Sequence, residues 1–212
     1  MKRLLMTVLM AGCIGLLGGC APGTAARPTR FRSAGARKAA KMIFLHRKRK
    51  ENYKHQERRK TWSQRGQKNT EYFLSHYNID ASRVYANGYS GGGETMSLVM
   101  GMRPDLFTAY LHCSSQWDGA YEPVVQARTP VYIVVGEGDE YYGSEPSRQA
   151  YEELRSLYEE EGLSEEEISD LLVLDIKDSE YFESQGISSQ HGGGGLFAND
   201  EEIMGWLFGK EK

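Results

Sequence analysis

Three side chains in this sequence have the types and the order needed to cleave an acyl bond. Ser90 lies in Gly88-Tyr89-Ser90-Gly91-Gly92, which has the form G-x-S-x-G. Before it, Val84-Tyr85-Ala86 is a short β-branched and apolar run that ends at the turn-formers Asn87 and Gly88. Beyond it, Met96, Val99 and Met100 recur at helical spacing, so a helix should begin near Gly92 or Gly93. A strand-to-helix turn strains the backbone of its middle residue and crowds the neighbours on both sides, which favours glycine there. The serine hydroxyl then projects from the end of a sheet. The next amide, that of Gly91, opens a helix where developing negative charge is favoured.

A serine nucleophile needs a base, and the base needs an orienting carboxylate. Asp139 stands just past the apolar run Val131–Val135, in Gly136-Glu137-Gly138-Asp139. Glu137, Glu140 and Asp118 are its rivals for the orienting role. His191 stands in the loop Gln190-His191-Gly192-Gly193-Gly194-Gly195 and is the histidine whose position suits the base. His46, His55 and His76 precede the nucleophile, and His112 ends an apolar run. Ser114 and Ser115 are alternative hydroxyls without a glycine elbow. The order Ser90, Asp139, His191 places acid and base after later strands, where open α/β sheets build their sites.

The positioning elements follow from periodicity. Tyr72, Phe73 and Tyr77 have helical spacing over residues 69–77. Leu106–Cys113 reads as a strand, and Val131–Val135 as a buried parallel strand. Ser144 caps an expected helix to Glu161 with Ala150, Leu154 and Leu157 on one side. Ser164-Glu165-Glu166-Glu167 has the pattern of a capping box, Leu171–Leu174 is a further strand, and Asp200–Phe208 is a closing helix with Ile203, Trp206 and Leu207 inward. Strands alternating with helices predict an α/β domain, a mostly parallel sheet with helices on both faces.

The amino terminus has a different character. Lys2 and Arg3 precede an apolar run, Leu4 to Leu17, and Leu17-Gly18-Gly19-Cys20 follows. That arrangement reads as a secretory signal over residues 1–19, too short for a comfortable membrane span. Its end resembles the lipobox of bacterial lipoproteins. The resemblance implies cleavage before Cys20, lipidation of Cys20, and an exported chain anchored to a membrane of the cell envelope. Cys13 leaves with the signal and Cys113 remains as a lone thiol, so no disulfide framework is expected.

Residues 20–68 form a tether and a basic segment, with one strand near 41–46. From residue 27 to 68 there are sixteen Lys and Arg against two acids, whereas residues 69–212 carry eight against twenty-seven. Beside a membrane anchor such a segment suits anionic headgroups, and export argues against a nucleic-acid partner. Residues 69–212 hold the expected catalytic domain.

The segments around Ser90, Asp139 and His191 resemble the nucleophile, acid and base segments of the α/β-hydrolase superfamily. The lead-in Asn78-Ile79-Asp80, with Arg83-Val84-Tyr85, is similar to its prolyl-oligopeptidase-like and polyhydroxybutyrate-depolymerase or feruloyl-esterase-like branches. The resemblance spans roughly Tyr72 to Phe208. It implies hydrolysis of a small-molecule ester or a peptide through an acyl-enzyme, with no cofactor and no metal. It also implies a second oxyanion amide after an early strand, often in a His-Gly pair. Here Phe44-Leu45-His46 looks like that strand end, but Arg47 replaces the glycine, so the second donor that the resemblance implies beside Gly91 falls on Arg47. The span from His46 to Ser90 is short for the strand and helix that relatives place there. Some amino-terminal strands are therefore expected to be lacking, through a deletion or shifted reading frame across about Arg27 to Gln67. The competing expectation is an inactive remnant serving at most as a surface binding protein, with an unpaired sheet edge beside the nucleophile strand.

Overall fold

The computed structural model describes the backbone of residues 4–11, together with residues 57 and 60–212. The chain divides into two compact units, one of Met1–Cys13 with Lys60–Lys212 and one of Ile14–Arg59. The second unit lies outside the described residues apart from Glu57, and with it Cys20, Arg47 and the strand expected near 41–46.

Within the first unit, β1 (Leu4–Ala11), β2 (Ile79–Tyr89), β3 (Ala109–Cys113), β4 (Val131–Gly136) and β5 (Leu172–Lys177) form one sheet in sequential order. Every neighbouring pair is parallel. The edge of β2 that was expected to be unpaired is occupied by β1, from Leu4 opposite Ile79 to Ala11 opposite Tyr89. The residues read as the apolar core of a signal thus supply a strand here. Register aligns Tyr89 with Cys113 and Cys113 with Val134, which brings the carboxyl ends of the three central strands level.

Alternation along the strands divides the core in two. Val84, Ala86, Tyr110, Val131, Ile133 and Leu172 point to one face. There they pack against α2 (Gly91–Met100), α3 (Glu122–Gln126), α4 (Glu145–Glu160) and α5 (Glu165–Leu171). Tyr85, Ala109, Leu111, Cys113, Tyr132 and Val134 point to the other face. They meet Phe182 of α6 (Ser179–Glu183) and Ile203 and Leu207 of α7 (Glu201–Gly209). This is the α/β layering expected from the sequence.

Three elements depart from it. Strand β3 starts at Ala109 rather than Leu106, because Pro104 opens a 3₁₀ turn over Pro104–Leu106 that Phe107 closes by donating to the Pro104 carbonyl. Ser144 precedes α4 but makes no capping hydrogen bond, since its own backbone is already helical at φ −86°, ψ −15°. The helix before β2, here α1, runs over residues 60–76 and begins inside the segment read as a basic loop. Its buried stripe is Ser63, Gly66 and Thr70, three small residues at i, i+3 and i+7 that an apolar periodicity overlooks. Thr70 donates to the Gly66 carbonyl at 3.0 Å and Ser63 to the Lys60 carbonyl at 2.9 Å, so both hydroxyls bond their own helix. Tyr72, Phe73 and Tyr77 are exposed. The capping box at α5 forms as expected, with Ser164 and Glu167 bonding each other's backbone amides.

Candidate active site

Ser90 joins the end of β2 to the start of α2 at φ 54°, ψ −131°. Such a conformation costs a non-glycine residue about 1–3 kcal/mol and persists only where surroundings enforce it. Four hydrogen bonds do so. The Ser90 amide donates to the Cys113 carbonyl at 3.1 Å. The Ser90 carbonyl accepts from the amides of Gly93 at 2.8 Å and Glu94 at 3.2 Å, and from the Ser115 hydroxyl at 2.7 Å.

Two glycines make the turn possible. A Cβ on Gly88 would lie 2.9 Å from Gly92 O, Gly93 Cα and Met96 Cβ. One on Gly93 would lie 2.5 Å from Ser115 Cβ, so that glycine makes room for the side chain that holds the Ser90 carbonyl. The Gly91 amide opens α2, where first-turn N–H groups have no intrahelical acceptor.

Asp139 arrives from β4. After Gly136 the chain turns sharply, the Asp139 amide donating to the Gly136 carbonyl at 3.2 Å. The Asp139 side chain is buried. Its Oδ1 accepts the Tyr141 and Tyr142 amides, each at 2.9 Å, and its Oδ2 accepts His191 Nδ1–H at 2.8 Å. That bond leaves His191 Nε2 as the acceptor, and Nε2 lies 3.0 Å from Ser90 Oγ. Ser90, Asp139 and His191, more than a hundred residues apart at the extremes, therefore form one continuous hydrogen-bonded chain.

The His191 loop has a 3₁₀ turn, Gly192–Gly195, as its local structure, and depends on outside groups for its place. Glu140 grips its backbone: Oε1 accepts the Gln190 amide at 2.9 Å and Oε2 the His191 amide at 2.8 Å, with the Ser189 hydroxyl at 3.3 Å. These bonds, the His191 amide first, hold the Glu140 carboxyl below its ordinary range. Gln190 returns the contact, its Oε1 accepting the Gly138 amide at 2.7 Å. The Tyr89 hydroxyl donates to the His191 carbonyl. Three tyrosine rings surround the imidazole: Tyr141 at 5.2 Å, Tyr89 at 5.5 Å and Tyr142 at 5.6 Å between centroids. The Tyr142 hydroxyl donates to Glu94 Oε1 at 2.8 Å, and burial together with that carboxylate pushes the phenol far up.

The alternatives have other occupations. Glu137 is exposed, Glu140 clamps the His191 loop, and Asp118 accepts from Gln116 at 2.9 Å. Ser115 supports the Ser90 carbonyl, and Ser114 is fully buried with no hydrogen-bond partner for its hydroxyl among the described residues. His112 is buried between Tyr110 and the Ser115 carbonyl, and burial pushes its pKa down to about 4, which keeps it neutral. Trp117 stacks on Tyr121 and packs against Tyr110 and His112 in the core. Among the described residues no group of three or more His, Cys, Asp or Glu is placed to hold a metal, and no helix is long and apolar enough to cross a membrane.

Comparison with solved structures follows the same layout. A thermostable esterase superposes with a TM-score of 0.54 at 21% identity, over 68% of this chain and 35% of that one. This is an α/β-hydrolase fold. In sequence, residues 51–118 match the prolyl oligopeptidase family (Peptidase_S9), a span that contains the turn at Ser90. Est1E from Butyrivibrio proteoclasticus aligns at 15% identity over 65% of this chain and 64% of that one, TM-score 0.44. A glucuronoyl esterase from Solibacter usitatus aligns at 14% over 56% and 43%, TM-score 0.45. No protein of curated function matches the sequence. The chain spans about a third of the length of the thermostable esterase.

Proposed function

We propose that this chain is a serine hydrolase that cleaves a carboxylic ester through an acyl-enzyme, with Ser90 as nucleophile, His191 as base and Asp139 as its orienting acid. The observation that carries the reading is the unbroken path from Ser90 Oγ to His191 Nε2 at 3.0 Å and from His191 Nδ1 to Asp139 Oδ2 at 2.8 Å. As Ser90 Oγ attacks the carbonyl carbon, its proton passes to His191 Nε2, and Asp139 stabilises the imidazolium. The Gly91 amide donates to the oxyanion, and such a donor is worth about 10²–10³ in rate. Collapse breaks the acyl–oxygen bond, and the proton on Nε2 goes to the departing alkoxide. Water then repeats the cycle on the acyl-serine. Arg47, assigned as second oxyanion donor by resemblance, lies outside the described residues. A peptide bond is the second reading, favoured by the match of residues 51–118 to the prolyl oligopeptidase family.

The test is labelling of the full chain with a fluorophosphonate, beside Ser90→Ala and His191→Ala. Labelling that disappears in both variants is the expected result. A folded wild-type chain that takes no label overturns the assignment and leaves the inactive remnant.

Anchoring to the cell envelope through Cys20 is part of the same proposal, supported by the charged start, the apolar run and Leu17-Gly18-Gly19-Cys20. Processing before Cys20 removes Leu4–Ala11, the strand on the outer edge of β2. The cleaved lipoprotein and the five-stranded sheet therefore describe two states of the chain. Intact mass of the chain from a bacterial membrane fraction decides between them. A diacylated chain beginning at Cys20 is expected, and an unprocessed mass starting at Met1 rules the anchor out.

A further inference from the structure

Beside the proposed base stands an aromatic ring that the chemistry above does not use. Tyr141 is 73% exposed, the most exposed of the large hydrophobic side chains in the described structure. It is nonetheless held in place. Its amide donates to Asp139 Oδ1 at 2.9 Å, its ring lies against the His191 imidazole at 5.2 Å and 29°, and the Tyr142 ring packs against it in a T-shaped pair at 4.7 Å. Tyr142 is fixed in turn by its own amide on Asp139 and its hydroxyl on Glu94. Tyr141 thus touches the imidazole and the Tyr142 ring while most of its surface stays open to solvent. A large ring kept rigid and uncovered pays no ordering entropy when a flat ligand settles on it.

Its place decides which part of a substrate it meets. His191 Nε2 hands its proton to the oxygen of the departing alcohol, so that alcohol lies over the imidazole, next to Tyr141. The neighbouring polar groups favour an aromatic partner over a sugar. Asp139 and Glu140 already give their oxygens to Tyr141, Tyr142, Gln190 and His191, which leaves few acceptors for a ring of hydroxyls. The exposed carboxylates of Glu137 and Glu140 also disfavour an anionic alcohol. We propose that the exposed surface of Tyr141 is the leaving-group subsite and that it takes the ring of an uncharged aromatic alcohol. This rests on the assignment of Ser90 and His191 as the hydrolytic pair.

The test uses the full chain as wild type, Tyr141→Ala and Tyr141→Phe, with phenyl acetate, ethyl acetate and 1-O-acetylglucose as substrates. The quantity read is the ratio of kcat/KM for phenyl over ethyl ester, which cancels any loss common to both from disturbing His191. Offset stacking of the usual strength makes Tyr141→Ala lower that ratio about tenfold, while Tyr141→Phe, which keeps the ring, preserves it. An unchanged ratio in Tyr141→Ala overturns the subsite, as does a fall confined to the glucose ester. Fluorophosphonate labelling of the same preparations keeps the two ideas apart. A wild-type chain without label overturns the serine-hydrolase assignment and the subsite with it, whereas labelled chains with unchanged ratios remove the subsite alone.

Discussion

Replacing Asp139 with asparagine is expected to lower kcat for ester hydrolysis about 10⁴-fold while leaving the fold in place. The size follows from the direction of the hydrogen bonds. Two amides, those of Tyr141 and Tyr142, converge on Oδ1 at 2.9 Å and require an oxygen there. Asparagine therefore keeps its oxygen towards those amides and turns its NH₂ towards His191 Nδ1. A donor facing Nδ1 makes that nitrogen the acceptor, and the ring proton moves to Nε2, where it faces Ser90 Oγ. In that tautomer the imidazole no longer takes the serine proton. Steady-state rates beside a thermal unfolding curve check the expectation. A fall below tenfold with an unchanged melting temperature would remove Asp139 from the orienting role.

The parts of this site legible in the sequence are those set by local backbone chemistry. Gly88 and the strand before it were legible because a turn with φ of 54° at Ser90 leaves no room for a Cβ at that glycine. The run Val131–Val135 was legible because a strand covered on both faces has no polar side. The order of Ser90, Asp139 and His191 then placed the Asp139 and His191 loops at the end of the sheet where the structure joins them to Ser90. What stayed hidden depends on contacts between distant loops. Glu140 looked like a rival acid because charge and proximity to Asp139 are all that one dimension records. Its task, holding amides fifty residues later, exists only once the two loops meet. The direction of α1 was hidden for another reason. Its buried stripe is Ser63, Gly66 and Thr70, whereas its large aromatics face outward, so hydrophobicity pointed to the wrong side. Ser115 was set aside as a spare hydroxyl, and the cavity left by Gly93 is what turns it into a support for Ser90.

Removing the Glu140 clamp is expected to be the second-largest loss, about 10²-fold in kcat for Glu140→Ala, with KM little changed. Asp139 and Glu140 are consecutive, and they hold the same loop in different ways. Asp139 fixes the rotation of the imidazole through Nδ1, whereas Glu140 fixes the position of the backbone that carries it. Without Glu140 the loop keeps the Gln190 contact to Gly138 and the Tyr89 contact to the His191 carbonyl, so it stays folded but moves. A displacement of about 1 Å at a reacting pair is worth about 10² in rate. Glu140→Gln supplies one acceptor where the loop presents two amides, and its activity should fall between those of Glu140→Ala and wild type. The sign of the pH dependence is fixed by the depressed carboxyl. Its ionised form accepts these bonds above the ordinary carboxylate range and loses them only as pH falls through the lowered folded value. The clamp is thus intact across the neutral and alkaline range, and the alanine variant should lose activity evenly there. The low-field proton resonance of His191 Nδ1–H supplies the independent check. It should be sharp in wild type and broadened in Glu140→Ala as the His191–Asp139 distance fluctuates. A resonance that stays sharp, with kcat unchanged, would show that the base loop holds itself.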